Sequence, residues 1–364
     1  MTLRPVRRTL IAAAALALGA LALGALATTV PTGAATPSSR PLLDATRCAA
    51  NRAVGPITYV SPFGFDASAG ILDVFVAQRL GYFANMCLTV QIVTNATDVN
   101  ELVSSGRAQI TNEGSAADTL EAIAGGANLV GIDTSGDTSD YALVTNASIT
   151  SLRQLDGHTL GYYNVLPVVI REMLTRAGAN LSRIHLIADT NYDPTQVLQG
   201  TVQGLQAYQS NQVITLRSLH ARFHEFTPQQ FAIPGTYNVM AANAIFLHHH
   251  ATAVADFMRA DLHALDYCLA HPSTCVAVEG ADARAAGVPF STSHENAVWS
   301  LERRLTLSST LAGRGIGVQS YAEWRPEAAA LRHYGVLTRV PALARAEDVS
   351  LVAHLYRGTT LVWP

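Results

Sequence analysis

The histidines of this chain are the first residues to weigh for chemistry, because their spacing decides whether they can act together. His248-His249-His250 form a run, His220 and His224 lie four apart, and His294 precedes Glu295. Adjacent histidines on a helix point in different directions, so the run does not converge on one ion and reads as exposed residues at a helix start. His220 and His224 share a helical face but lack the glutamate of a zinc-protease pattern, and His294-Glu295 has no partner. No serine-hydrolase elbow, phosphate loop or dinucleotide fingerprint occurs. The expectation is therefore no catalytic residue, no metal site and no cofactor.

Four cysteines remain: Cys48, Cys87, Cys268 and Cys275. An even number in an exported chain points to disulfides. Cys268 and Cys275 flank a short segment turned by Pro272, which suits closure of a small loop. Cys48 then pairs with Cys87. Zinc is the rival reading, and no CxxC spacing supports it.

Binding chemistry is concentrated at loops that follow strands and open helices. Ile57–Val60 reads as a strand, broken by Pro62, Gly64 and Asp66; apolar residues then recur at helical spacing from Ile71 to Leu80. Gly81 stops that helix, and Leu88, Val90 and Ile92 alternate as a second strand. A crossover of this length joins parallel strands. The intervening loop sits at a carboxyl edge, where open α/β sheets bind ligands. Phe63, Phe65, Asp66 and Ser68 supply aromatic faces and polar hooks there. A second such loop is Asn112-Glu113-Gly114-Ser115, in which Gly114 permits close approach and Ser115 caps the helix Ala116–Ala124. Asp98 and Glu101 resemble a capping box for a short helix before it.

Further along, Leu129–Ile132 reads as a strand, Asp133–Asp140 as a polar loop, and Tyr141–Thr145 as a strand crossing to another lobe. Ser151–Tyr163 contains a short capped helix, a turn at Asp156-Gly157 and a strand. Tyr163 and Asn164 face a second binding edge, while alternation turns Tyr162 toward the core. Pro167 is tolerated in the first turn of the next helix. Asp193 and Pro194 read as the cap and first residue of another. Thr252–Leu269 is a strongly periodic helix.

These segments resemble the NMT1/THI5-like family (SsuA/TauA-related) of solute-binding proteins for ABC transporters. The likeness is carried by Leu80-Gly81-Tyr82-Phe83 followed by L-x-V-x-I-V, by Ser151–Tyr163 against the family's "dLkGk.igv", and by Gly200–Gln212 against "G.vDA…Y.sNEP". Ile233-Pro234-Gly235 through Asn243 matches a return strand. The resemblance implies an α/β, two-lobed periplasmic-binding-protein type II fold, each lobe a mainly parallel sheet flanked by helices, with two hinge crossings. Residues 38–145 form the first part of lobe 1, 146–236 lobe 2, and 237–364 the rest of lobe 1. The hinges fall at Tyr141–Asn146 and Gly235–Asn238. It adds Tyr141, Tyr208 and Asn211 to the ligand-binding candidates. Gln203 and Gln212 stand where the family pattern has acids, which weighs against a cationic or aminopyrimidine ligand.

The function implied is capture of a small molecule for a permease of an ABC importer. Cleft aromatics favour a flat heterocycle such as a thiamine-pathway pyrimidine. Ser68, Ser115 and two helix N-termini equally suit an oxyanion such as a sulfonate or nitrate. The alternative of another class, a THI5-type pyrimidine synthase, needs a cysteine-rich metal segment and a pyridoxal-bearing lysine, and this chain has no lysine.

Residues 1–37 read as a signal peptide: Arg4, Arg7 and Arg8 precede an Ala/Leu/Gly run to Ala27, with cleavage sites after Ala27 or Ala35. Arg7-Arg8 partly resembles a twin-arginine signal. The mature protein is expected to be periplasmic or extracellular, touching the membrane only through the permease or an uncleaved signal anchor. A net charge of -3 with no basic stripe excludes nucleic acid as a partner. A monomer is expected.

Overall fold

A computed structural model describes residues 40–189, 192–311 and 313–364, together with the backbone of 28–29. The leader otherwise lies outside the described residues. Thr28–Thr29 (β1) pairs antiparallel with Val93 and Thr94.

The first half alternates strand and helix: α1 (Ala45–Ala53), β2 (Ile57–Val60), α2 (Leu72–Arg79), α3 (Tyr82–Asn85), β3 (Val90–Thr94), α4 (Val99–Ser104), β4 (Ile110–Glu113), α5 (Ala116–Ala124) and β5 (Leu129–Gly136). Gly81 stands between α2 and α3 at φ 76°, the left-handed conformation expected of the stop. Ser115 caps α5, accepting from the Asp118 N–H at 3.2 Å. Asp98 departs from expectation: its own φ is 54° and its side chain makes no cap bond to α4.

The second half of the fold contains β6 (Tyr141–Asn146), β7 (Thr159–Tyr163), α6 (Val168–Arg176), β8 (His185–Asp189), α7 (Gln196–Gln199), β9 (Gly204–Tyr208), α8 (Gln212–Ser218) and β10 (Phe223–Phe226). The chain then returns through β11 (Tyr237–Asn243) to α9 (Ala244–Ala270), α10 (Pro272–Ala285), α11 (Thr292–Leu311) and α12 (Tyr321–His333). Asp193 does not cap a helix directly. Its carboxylate accepts from the Thr195 N–H at 2.8 Å, and α7 starts beyond it. The histidine run lies inside α9, where His250 has non-helical φ/ψ and marks a kink.

One sheet has the order β1-β3-β2-β4-β11-β5 and the other β10-β6-β9-β7-β8. In the first, β3, β2 and β4 are parallel neighbours, while β11 runs antiparallel between β4 and β5. In the second, β9, β7 and β8 are parallel and β6 is reversed against β9. Apart from β1, the reversed strands are thus those adjoining the crossings. The chain passes between the sheets at 137–140 and 227–236, so Tyr141–Asn146 is sheet rather than connection. The two passes press together: a Cβ on Gly235 would lie 3.0 Å from Ser139 Cβ. Gln209 and Gln229 both donate to the Ser139 carbonyl, at 3.0 and 2.8 Å.

The first sheet's core is built from β2, α2 and α9, with Phe83 stacked on Phe257. The second sheet has a core on each face, around Leu143, Leu155 and Ile170 on one and Val144, Leu205 and Val213 on the other. Both disulfides form, Cys48–Cys87 and Cys268–Cys275. Beside the first, buried Asp256 accepts from Arg47 at 2.6 and 2.9 Å and from Asn51 at 2.8 Å, pinning α1 onto α9. Among the described residues no helix is long and apolar enough to cross a membrane.

Candidate functional site

The carboxyl edges of the two sheets face one another, and the candidate residues divide between them. On the first edge, the loop after β2 is held by α11. Asp66 accepts from Asn211 Nδ2 of the opposite lobe at 3.2 Å. The Ala67 N–H donates to Glu295 at 2.9 Å; Ser68 Oγ and the Ala69 N–H donate to Glu302 at 2.6 and 2.8 Å. Phe65 stacks on Phe75 with centroids 4.8 Å apart, and Phe63 packs against the same core. These donors of the loop before α2 are therefore already engaged by the protein's own carboxylates.

The loop after β4 is built the same way. Ala116 N–H donates to Thr236 Oγ1 and Ala117 N–H to Glu327, each at 2.8 Å. Glu327 is buried and also accepts from the Thr236 N–H and hydroxyl at 2.6 and 2.7 Å. Ser115 Oγ donates to Asp118 Oδ2 at 2.8 Å, and Tyr141 Oη donates to the same oxygen at 3.1 Å. Gly114 makes room for that carboxylate: a Cβ there would stand 2.8 Å from Asp118 Oδ2.

On the opposite edge, Tyr141 stacks on Tyr208 at 5.0 Å and Tyr163 on Tyr192 at 4.2 Å. Asn164 takes φ 52° and its amide reaches Tyr192 Oη at 3.4 Å. The two glutamines that replace family acids do not project as charged substitutes. Gln212 accepts from the Tyr208 N–H at 2.8 Å, and Gln203 accepts from the Thr159 N–H at 3.1 Å.

A cavity of about 430 Å³ opens between the lobes. Its walls include Ser115, Asp118, Tyr141, Val168, Ile233 and Glu327, so α5, α6, α12 and both crossings contribute. The structure brings Ser115 and Tyr141 into that wall. Asp66 and Asn211 meet at a separate bridge between the lobes, and Phe65 is drawn into packing. Carboxyls crowd the site, with Arg176 and His333 also on the cavity wall. Burial pushes Asp66 up to about 6, Asp140 and Glu327 to about 7, and Glu113 and Glu295 to about 8. Burial also raises Asp118 above the usual carboxylate range, against hydrogen bonds from Ser115 and Tyr141 that lower it.

The sequence gives no sign of Asp118, Glu302 or Glu327 at the site, and sets Glu295 only beside His294. Their position inside amphipathic helices looks like that of any solvated glutamate.

The family model described as NMT1/THI5 like matches residues 69–275, more than half of the chain. The chain belongs to the NMT1/THI5-like family. No curated protein sequence matches it. The fold of this NMT1/THI5-like chain is similar to that of a ligand-binding component of an ABC-type import system from Staphylococcus aureus, with TM-score 0.62, 9% identity, and 82% and 97% of the two chains covered. It is also similar to the periplasmic aliphatic sulphonate binding protein SsuA of Escherichia coli, with TM-score 0.57, 12% identity, and 85% and 94% covered. The desulfurization enzyme DSZB shares the fold, with TM-score 0.55, 10% identity, and 82% and 98% covered. The two-lobed α/β periplasmic-binding-protein fold expected from the sequence is thereby found.

Proposed function

We propose that this NMT1/THI5-like protein is an exported solute-binding protein that captures a small, flat heterocycle between its lobes and presents it to an ABC-type permease. The observation that carries the reading is the cavity between the lobes, walled by both crossings and by Tyr141. Residues 38–145 and 237–364 would act as one lobe and 146–236 as the other, hinging at the crossings. A solute touching both then favours the closed state. The Asp66–Asn211 bond would be part of that closed state. A pyrimidine or flavin fragment fits the reading through stacking on Tyr141 and hydrogen bonding to Ser115 and Asp118.

The rival ligand is an oxyanion, which has the sulphonate-binding neighbour in its favour. Against it stand the donors of the loop before α2 and of the α5 N-terminus, which are bonded to Glu302, Glu327 and Thr236. An enzyme reading has the shared fold of the desulfurization enzyme behind it. A pyridoxal-bearing lysine is missing from the sequence, and all four cysteines are held in disulfides, which leaves no thiol nucleophile.

The test is a thermal-shift screen of pyrimidines, flavins, sulfonates and nitrate, followed by analysis of the recovered ligand. A ligand at a hundred times its Kd stabilises by about 2.7 kcal/mol, which raises the midpoint by several degrees. Stabilisation by heterocycles that are recovered unchanged is the expected result. Stabilisation by sulfonates or nitrate alone would replace the ligand class, and release of an altered product would replace binding with catalysis.

A further inference from the structure

We propose that the cavity between the lobes selects solutes bearing a positively charged nitrogen, which pairs with Asp118. This rests on the reading of the protein as a solute binder and adds the charge of what it takes, contrary to the expectation drawn from Gln203 and Gln212, which are turned to the backbone N–H groups of Thr159 and Tyr208.

Three observations lead there. The first is the distribution of charge in the wall. Asp118, Glu172 and Glu327 line the cavity together with Arg176. The arginine is already committed: its guanidinium bonds Glu172 at 2.5 Å and the carbonyls of Phe231 and Ala232 at 2.9 and 3.2 Å. An incoming anion therefore meets no free guanidinium there, and meets carboxylates in its place.

The second is the state of the backbone donors. An oxyanion needs free N–H groups at a helix start. Here Thr236 and Glu327 accept from Ala116 and Ala117 at α5, and Glu302 accepts from Ala69 in the loop before α2. Seating an anion would require expelling a buried carboxylate from its own hydrogen bonds and holding two negative charges together.

The third is the geometry of Asp118. Both side-chain donors that reach it, Ser115 Oγ and Tyr141 Oη, bond the same oxygen, Oδ2. They fix the carboxylate and leave Oδ1 available for a ligand at the cavity wall. Tyr141, stacked on Tyr208, adds an aromatic ring to the wall beside it, which suits a cation carried on a flat group.

The test uses a charge series of nearly constant shape. Benzamidine, benzamide, benzoate and benzenesulfonate are titrated calorimetrically into the purified protein at pH values of about 5.5 and about 8. Benzamidine is expected to bind at least tenfold more tightly than benzamide, with the two anions weaker still. Its affinity should rise toward the higher pH, where the carboxylates ionise. In Asp118→Asn the ratio of benzamidine to benzamide affinity should fall to about one, and a far-UV circular dichroism spectrum like that of wild type separates loss of charge recognition from loss of the fold. Equal binding of benzamidine and benzamide, or tighter binding of either anion, overturns the proposal and leaves solute capture standing. Binding of none of the four at millimolar concentration overturns both. The wild-type series alone decides the matter if the variant does not fold.

Discussion

Raising the pH from about 5 to about 8.5 is expected to lower the thermal midpoint of this protein by roughly 5–10 °C. The cause is a set of carboxyls that folding removes from water without supplying a basic partner. Asp73 and Asp140 are buried and held at about 7, Glu327 at about 7 and Glu295 at about 8. In the unfolded chain such groups titrate near 4. Between these values the folded state holds more protons than the unfolded state, so stability falls as pH rises through the window. One carboxyl held from 3.8 to about 7 corresponds to roughly 4 kcal/mol. The groups repel one another and do not all ionise, so the sum is smaller than four such contributions. Melting at constant ionic strength across the range checks the sign. A midpoint that climbs steadily toward pH 8.5 would mean that these carboxyls are not buried as described.

The second large effect concerns Cys48–Cys87. The cysteines are 39 positions apart, and closing a loop of that length stabilises by roughly 4 kcal/mol on a chain-entropy basis. The Cys268–Cys275 loop spans only 7 positions and is worth roughly 2.5 kcal/mol on the same basis. Cys87 also adopts φ 57°, which is costly for a residue with a side chain, so the cross-link secures a turn that otherwise relaxes. Asn51, one turn along from Cys48, donates to the Met86 carbonyl at 2.8 Å and would lose its anchor with the turn. The double variant Cys48→Ala/Cys87→Ala is therefore expected to melt well below wild type, and below Cys268→Ala/Cys275→Ala. The reverse order between the two variants would refute the loop-length account.

Local chemistry made much of the architecture legible. The alternation of Leu88, Val90 and Ile92, the stop at Gly81 and the Ser115 cap are all decided by neighbours within a turn or two, and each lies where the sequence places it. The capping box at Ser151 and Gln154 is likewise local. Asp98 failed because its own backbone turned left-handed, which no side-chain pattern announces. The edge strand Phe223–Phe226 was missed because its half-buried residues lack clear alternation. The cleft was legible in position but not in character. Glu295 and Glu302 meet the loop after β2 from more than two hundred positions away, and Glu327 meets α5 from a similar distance. Such pairings depend on how α11 and α12 dock, and no window of sequence contains both partners.

The placement of β11 has a consequence for the order in which the two halves of the chain can fold. Strands β6 to β10 are contiguous in sequence, so the second sheet can zip up as soon as residue 226 has emerged. The first sheet has a slot between β4 and β5 that only Tyr237–Asn243 fills, and its ligand loops wait longer still for carboxylates at 295, 302 and 327. A polypeptide threaded N-terminus first would therefore complete its later-made half before its earlier-made one. A chain truncated at residue 236 should keep protease-resistant only the piece from about 141 onward.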